Sequence, residues 1–389
     1  MVARGLRNDP HWKRSRRLLP LGIRGEHVHR RALRFGQTAS EIRGPRARHE
    51  VGRRNVGRRS ALARRTLDSR SVEPDALLGQ RRPSSIKRRG MGFGKPKALT
   101  LEEIKSEVIE RFVYAAKYAH DAGFDGCQIH SAHGYLLAQF LSPTTNKRDD
   151  QYGGNALNRV RLDLEIYDAI RKEIPDTNFL IGIKFNSVEF QQEGLDVNDS
   201  TIMCEAIDKK GFDFLELSGG TIEKSAFHHL SDSTKAREAF FLDFAEKIRP
   251  SIKSAALYVT GGWRTAKGMI DAIRAGSTQG VGLGRPIAAE PDLPKKILAG
   301  RVDSALQSVF EGNFAAGNLA ANSQMEQAGL TTLEEAGGDP CFGIMDLSTP
   351  EVAAAYIAAQ GRYLQEIEAL ANQGKAIAGV LEYSVTAHT

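Results

Sequence analysis

Residues 129 to 143 read Ile-His-Ser-Ala-His-Gly-Tyr-Leu-Leu-Ala-Gln-Phe-Leu-Ser-Pro, placing the imidazoles of His130 and His133 and the phenol of Tyr135 within six positions. They follow directly on the strand-like run Phe124 to Ile129. A strand that ends at His130, with His133 and Tyr135 on the turn after it, sets two hydrogen-bond donors and a proton donor at the C-terminal mouth of a parallel sheet. That end of the sheet is where α/β folds carry their chemistry. The run TNKRDDQYGG at 145–154 comes next and opens a long helix.

Outward from this stretch, helix and strand patterns alternate. Apolar Ile104, Val108, Phe112 and Ala116 share one face of a helix predicted over Leu101 to His120, which leads to a strand from Gly126 to His130. A helix from Asn155 to Ile174 is expected, with Asn155 as N-cap and Pro175 as its stop. Then come strand Phe179 to Phe185, helix Asp199 to Lys210, strand Phe214 to Leu217, helix Phe240 to Ile248 and strand Ala256 to Val259. Helix Ala266 to Arg274, strand Gly280 to Leu283 and a short helix near Leu293 to Ile297 complete the series. Strands separated by single helices imply parallel pairing with right-handed crossovers. Five strands are legible in this way, and 389 residues suit one barrel with additions better than several domains.

The ends of the chain read differently. Residues 1–82 hold 21 Arg and 1 Lys against 7 acidic residues, a net of +15, whereas the rest carries 32 basic and 40 acidic residues, a net of −8. The overall +7 is therefore an average of two unlike parts. No strand or helix period persists in the first 82 residues, so disorder is expected there. An Arg-rich nucleic-acid-binding arm, a transit peptide directing the chain to mitochondria and sequence that is not native coding all fit this composition. The abrupt change at Pro83 favours the third. Residues 304–389 read as surface helices, with Pro350 to Ala371 helix-forming and Tyr356, Tyr363 and Leu364 available to pack. There is no apolar run long enough to span a membrane. Cys127, Cys204 and Cys341 are widely separated, which argues against a disulfide framework or zinc site and for a reducing, cytoplasmic setting.

The central stretch, taken with IGIKFNS at 181–187, LELSGG at 215–220, AREAFF at 236–241, YVTGGWRT at 258–265 and GVGLGRPIAAEPDLP at 280–294, resembles the Old Yellow Enzyme family. The resemblance covers about residues 83–300, beginning with IKRRGMGFGKPKALTLEEI. It implies a (β/α)8 barrel of the FMN-linked oxidoreductase type, incomplete here because strands one to three are not recognisable. The domain organisation expected is then a basic segment at 1–82, a partial FMN-binding barrel at 83–303 and a helical extension at 304–389. It also implies an FMN-dependent oxidoreductase that takes hydride from NADH or NADPH and gives it to an activated alkene of the enone type.

The site residues follow from the same resemblance. His130 and His133 would hold the substrate's carbonyl oxygen, polarising it as an oxyanion hole does. The bland alternatives are structural histidines or a zinc pair, and no third metal ligand lies at convincing spacing. Tyr135 matches the proton donor, and a phenol keeps its proton at neutral pH. Lys184 falls where the family carries a cation beside the flavin's N1 and C2 oxygen. Gly261 and Gly262 after one strand, with Gly282, Gly284 and Arg285 after the next, would cradle the phosphate. GMGFG at 90–94 reads as a loop near the substrate mouth, and His228 and His229 as solvated loop residues. Asp149, Asp150 and Tyr152 read as loop-ordering residues, with Arg159 and Arg161 as helix–loop clamps. Other readings remain open: an inactive barrel remnant, a barrel holding another phosphorylated ligand, or a non-catalytic protein with a nucleic-acid-binding arm. Open sheet edges leave room for a homo-oligomer.

Overall fold

The computed structural model describes residues 81–82, 97–189, 192–220, 241–373 and 380–383. The Arg-rich segment up to residue 80, the GMGFG loop, His228, His229 and most of AREAFF lie outside these residues.

Five parallel strands form the central sheet: β1 (Gly126–Ser131), β2 (Leu180–Asn186), β3 (Phe214–Ser218), β4 (Ala256–Thr260) and β5 (Gly280–Gly282). Their spatial order is their chain order. A doubly wound sheet reverses direction at a switch point, whereas a barrel wall steps always to the same side. The sheet is thus five consecutive strands of a (β/α)8-type wall. A separate two-residue parallel pairing joins Arg81–Arg82 to Lys97–Ala98. Paired backbone therefore reaches into the segment expected to lack structure, because ladder bonds need no apolar side chains.

The helices form where capping and periodicity agree. In α1 (Leu101–Glu103) a capping box pairs the Glu103 N–H with Thr100 Oγ1 at 3.1 Å and the Thr100 N–H with the Glu103 carboxylate at 3.0 Å. The helix runs on through a π-helical stretch (Ile104–Ile109) into α2 (Glu110–Asp121), burying Ile104, Val108 and Ala116 as their spacing predicts. After α3 (Leu136–Leu141), the long helix expected from Asn155 is broken at Val160 into α4 (Ala156–Arg159) and α5 (Arg161–Glu173). The break lets Arg159 turn to an ion pair with Asp199, while Arg161 Nε donates to the Gln151 carbonyl at 2.8 Å. Arg148 ties down the preceding loop, and its guanidinium holds the Asp150 carboxyl below its usual range. Helix α6 (Val197–Lys210) starts before Asp199, because Asp196 caps it by accepting from the Asn198 and Asp199 N–H groups. The outer layer continues with α7 (Leu242–Ile248) and α8 (Ala266–Arg274), the latter within its expected bounds.

The two faces of the sheet differ. Ile129, Ile181, Ile183, Phe185, Leu215, Leu217, Leu257 and Val259 alternate onto the outer face and are buried against Ile166, Ile170, Met203, Ile207, Ala245 and Ile248 of the helices. Each such side chain stabilises the fold by about 1.5–3 kcal/mol. The other parity, Gln128, His130, Lys184, Phe214, Glu216, Tyr258 and Thr260, lines the inner face and is half-buried or exposed. Gly182 and Gly280 are small because the rings of Phe214 and Tyr258 lean over them, and these two rings meet edge to face with centroids 6.0 Å apart.

Beyond β5, helices α9 (Arg285–Ala289), α10 (Leu293–Leu298), α11 (Phe314–Leu330) and α12 (Pro350–Asn372) follow. Phe310, Met345, Leu347, Tyr356 and Leu381 form a second apolar cluster there. Tyr363 packs against it, seven residues from Tyr356 and on the same stripe. Leu364 does not pack, contrary to expectation: it is 51% exposed, being turned roughly 100° round the helix from Tyr363. Among the described residues no helix is long and apolar enough to cross a membrane.

Candidate active site

The C-terminal end of β1 turns sharply. His133 takes φ 59°, a left-handed conformation costly for a residue with a Cβ, and Gly134 follows at φ 75°. Two contacts hold it. The His133 N–H donates to Asn186 Oδ1 at 3.0 Å, and His133 Nε2 shares a hydrogen bond with Ser218 Oγ at 2.9 Å. Asn186 ends β2 and Ser218 ends β3, so the second strand end holds the His133 backbone and the third its imidazole. Gln139 Nε2 bonds back to the Gly134 carbonyl at 2.9 Å, closing the turn onto α3.

This turn gathers the three aromatic side chains singled out from sequence. The His130 ring centroid lies 5.3 Å from that of His133 and 5.4 Å from that of Tyr135. Tyr135 occupies the N-cap position of α3 with extended backbone, which aims the chain out of the turn before the helix begins. In register, His130 pairs with Lys184, and Lys184 pairs with Glu216. A single row across three strands therefore carries imidazole, ammonium and carboxylate on the inner face.

Lys184 forms an ion pair with Glu216, each side chain being 17% exposed. Gln128 Nε2 donates to the other Glu216 oxygen at 2.6 Å, and Thr260 Oγ1 donates to the oxygen that Lys184 holds. Burial pushes the Glu216 carboxyl up, but the Lys184 charge and the three donors outweigh it and hold the group below its usual range. Glu216 is ionised at neutral pH as a result. Glu216, Asn186 and Ser218 were not assigned roles by sequence reasoning, though each lies within a motif quoted above. The usable signal was strand parity: Asn186 is two residues after Lys184, and Glu216 two before Ser218.

The glycine turns lie at the ends of the next two strands. Gly261 (φ 126°) and Gly262 (φ 81°) follow β4, and only glycine adopts such backbone easily. A Cβ on Gly282 would overlap Thr260 Oγ1, so this glycine is small for its neighbour in the sheet. Gly284 has open space where a Cβ would stand. The Arg285 side chain lies along α11, where a Cβ on Gly317 would come 2.8 Å from Nη1. It lines a small cavity with Arg264, Phe310, Glu311 and Gln324. The structure thus brings His130, His133, Tyr135 and Lys184 together, sets the glycines at the ends of β4 and β5, two and three strands beyond β2, and turns Arg285 toward the C-terminal helices. Burial pushes the Cys127 thiol up to about 12, which keeps it a thiol at neutral pH.

Comparison with known proteins identifies the family. The model of the NADH:flavin oxidoreductase / NADH oxidase family matches residues 63–304. The match begins twenty residues before Pro83, where family-like sequence was expected to start. The NADH-dependent flavin oxidoreductase nadA of Aspergillus parasiticus is 41% identical over 263 residues, 66% of this chain and 58% of that protein. The NADH-dependent flavin oxidoreductase iccE of Talaromyces variabilis is 40% identical over 219 residues, 53% of this chain and 51% of that protein. The chain spans about half the length of the curated relatives it matches. Among solved structures, histamine dehydrogenase from Rhizobium sp. 4-9 superposes with a TM-score of 0.54 at 27% identity, over 64% of this chain and 34% of that one. With the family model covering well over half of its residues, the chain belongs to the NADH:flavin oxidoreductase / NADH oxidase family, the Old Yellow Enzyme type of flavoprotein.

Proposed function

We propose that the chain binds FMN on the inner face of the sheet and, with NADH or NADPH as reductant, saturates alkenes activated by a neighbouring carbonyl, in the cytoplasm. The observation that carries this reading is the convergence of His130, His133, Tyr135 and Lys184 at the C-terminal ends of two adjacent strands. The donor set fits the cofactor in kind. A cation on the inner face suits the electron-rich edge of the flavin, and the glycine turns after β4 and β5, with open space at Gly284, suit a phosphate. On this reading residues up to 303 form the cofactor-binding unit, with 304–389 a helical extension.

When bound, FMN supplies a two-electron carrier that takes hydride from a nicotinamide and passes it to an electron-poor carbon. The chain's own groups do the rest. His130 and His133 donate hydrogen bonds to the substrate's carbonyl oxygen and stabilise the negative charge that gathers there. His133 is prepared for this by its bonds to Asn186 and Ser218, which cost no reorganisation when substrate arrives. Tyr135 gives its phenolic proton to the carbon beside the carbonyl. Gly261, Gly262, Gly282 and Gly284 offer backbone N–H groups to the phosphate, while the Arg285 guanidinium lies along α11.

Isotope transfer tests the reaction class. With FMN-loaded protein, 2-cyclohexenone and NADH or NADPH deuterated at the transferred C4 position, the expected product is the saturated ketone with one deuterium at the carbon β to the carbonyl. Reduction of the carbonyl to an alcohol, or a saturated ketone without deuterium, would contradict the reading.

A further inference from the structure

Glu216 occupies a position that the reaction as described does not use. It stands in the middle of the inner-face row, and its carboxylate accepts from Gln128 of β1, Lys184 of β2 and Thr260 of β4. Side chains of four successive strands thus meet at one anion. The fifth strand approaches it as well, since a Cβ on Gly282 of β5 would come 3.2 Å from Glu216 Oε1. A carboxylate only 17% exposed is costly to keep without such donors. An acid that served only to make the wall soluble would point to solvent, and this one is held from three sides.

The consequence falls on Lys184. An ammonium in contact with a carboxylate presents to any third group a dipole in place of a full charge, and a dipole's influence fades faster with distance. Its position is fixed too, because the carboxylate that holds it is itself tied to β1 and β4.

We propose that Glu216 is a positioning residue that holds the Lys184 ammonium in the row beside His130 and tempers its charge, and so sets the reduction potential of a flavin bound there. This rests on the proposed function, since it needs FMN on the inner face. Reduction adds negative charge to the flavin, so a less neutralised cation favours the reduced form. Removing the Glu216 charge while keeping its shape therefore makes bound FMN easier to reduce.

The experiment compares wild type, Glu216→Gln, Glu216→Asp, Lys184→Met and the double variant Lys184→Met with Glu216→Gln. FMN affinity is read from quenching of flavin fluorescence, and the midpoint potential from equilibration with a reference dye. Glu216→Gln is expected to shift the reduction equilibrium about tenfold toward reduced flavin, about 30 mV for a two-electron couple. Glu216→Asp, which keeps the charge, is expected to shift it far less. In the Lys184→Met background the buried Glu216 loses its counter-charge and holds a proton, so the Gln substitution should lose most of its effect, which a merely structural role for Glu216 does not predict. If wild type and Glu216→Gln both hold FMN at the same potential, the proposal is wrong and the functional reading stands. Failure of the wild type to hold FMN overturns both. Should Glu216→Gln not fold, Gln128→Leu is read instead: it takes one donor from the carboxylate, strengthens the pairing with Lys184 and is expected to shift the equilibrium several-fold the other way. An unchanged or opposite shift would overturn the proposal.

Discussion

Replacing Asp163 with leucine raises the thermal unfolding midpoint, and raises it more at pH 8 than at pH 5. Asp163 lies in α5 with no solvent exposure, and among the described residues neither carboxylate oxygen has a hydrogen-bond partner. The Ser131 hydroxyl, at the end of β1, lies close enough to favour the ionised form a little, yet without a hydrogen bond of proper geometry. Burial dominates and pushes the carboxyl up to about 7. The unfolded chain releases this proton near pH 4, so the folded state binds it more tightly over the interval between. Stability therefore falls as pH rises from about 4 to 7, and the loss is complete above that. Three units correspond to about 4 kcal/mol, an upper bound at pH 8. Leucine removes this penalty and fills a similar volume with apolar surface. A rise of roughly 5–10 °C at pH 8, with a flatter pH profile, is expected from scanning calorimetry. A lower midpoint at pH 8 would show that Asp163 has a partner that compensates its charge.

Tyr135→Phe slows transfer to the alkene by about 10²–10⁴-fold and leaves reduction of the FMN-loaded protein by NADH near its wild-type rate. The split follows from chemistry: only the alkene half of the cycle needs a proton delivered to carbon. Phenylalanine keeps the ring that packs 5.4 Å from His130, so the turn and the start of α3 should survive. Rapid-mixing absorbance, recorded for each half-reaction separately, distinguishes the outcomes. Equal rates for both proteins in the alkene half would remove Tyr135 from the chemistry. Equal losses in both halves would point to a structural role.

What could be read from the sequence follows a physical division. Helices α2, α5 and α8 and strands β1 to β4 were legible because one face of each is buried, so periodicity records the environment directly. The break at Val160 was not, since the residues on either side continue a helical pattern and the bend is set by Arg159 reaching Asp199 in another helix. The same holds in the site. His130, His133 and Tyr135 stood out by residue type and spacing, and Lys184 through the resemblance. The left-handed backbone of His133 did not, because it depends on Asn186 and Ser218 at the ends of the next two strands. Glu216 was hidden by its ordinariness: an acid between two leucines reads as the solvated side of a strand until the register sets it against Lys184. Arg285 illustrates the converse, a residue whose sequence context names a ligand while its side chain lies along α11.

On the proposed function, this chain holds FMN on its inner face in a form that a nicotinamide can reduce. The direct measurement is to incubate purified protein with FMN, remove the excess by gel filtration and record the visible absorption anaerobically before and after adding NADH, then NADPH. Retained flavin is expected, with band positions displaced from those of free FMN and bleached by at least one of the two nicotinamides. Protein that elutes without flavin, or with flavin whose spectrum equals that of the free cofactor and resists both reductants, would contradict it.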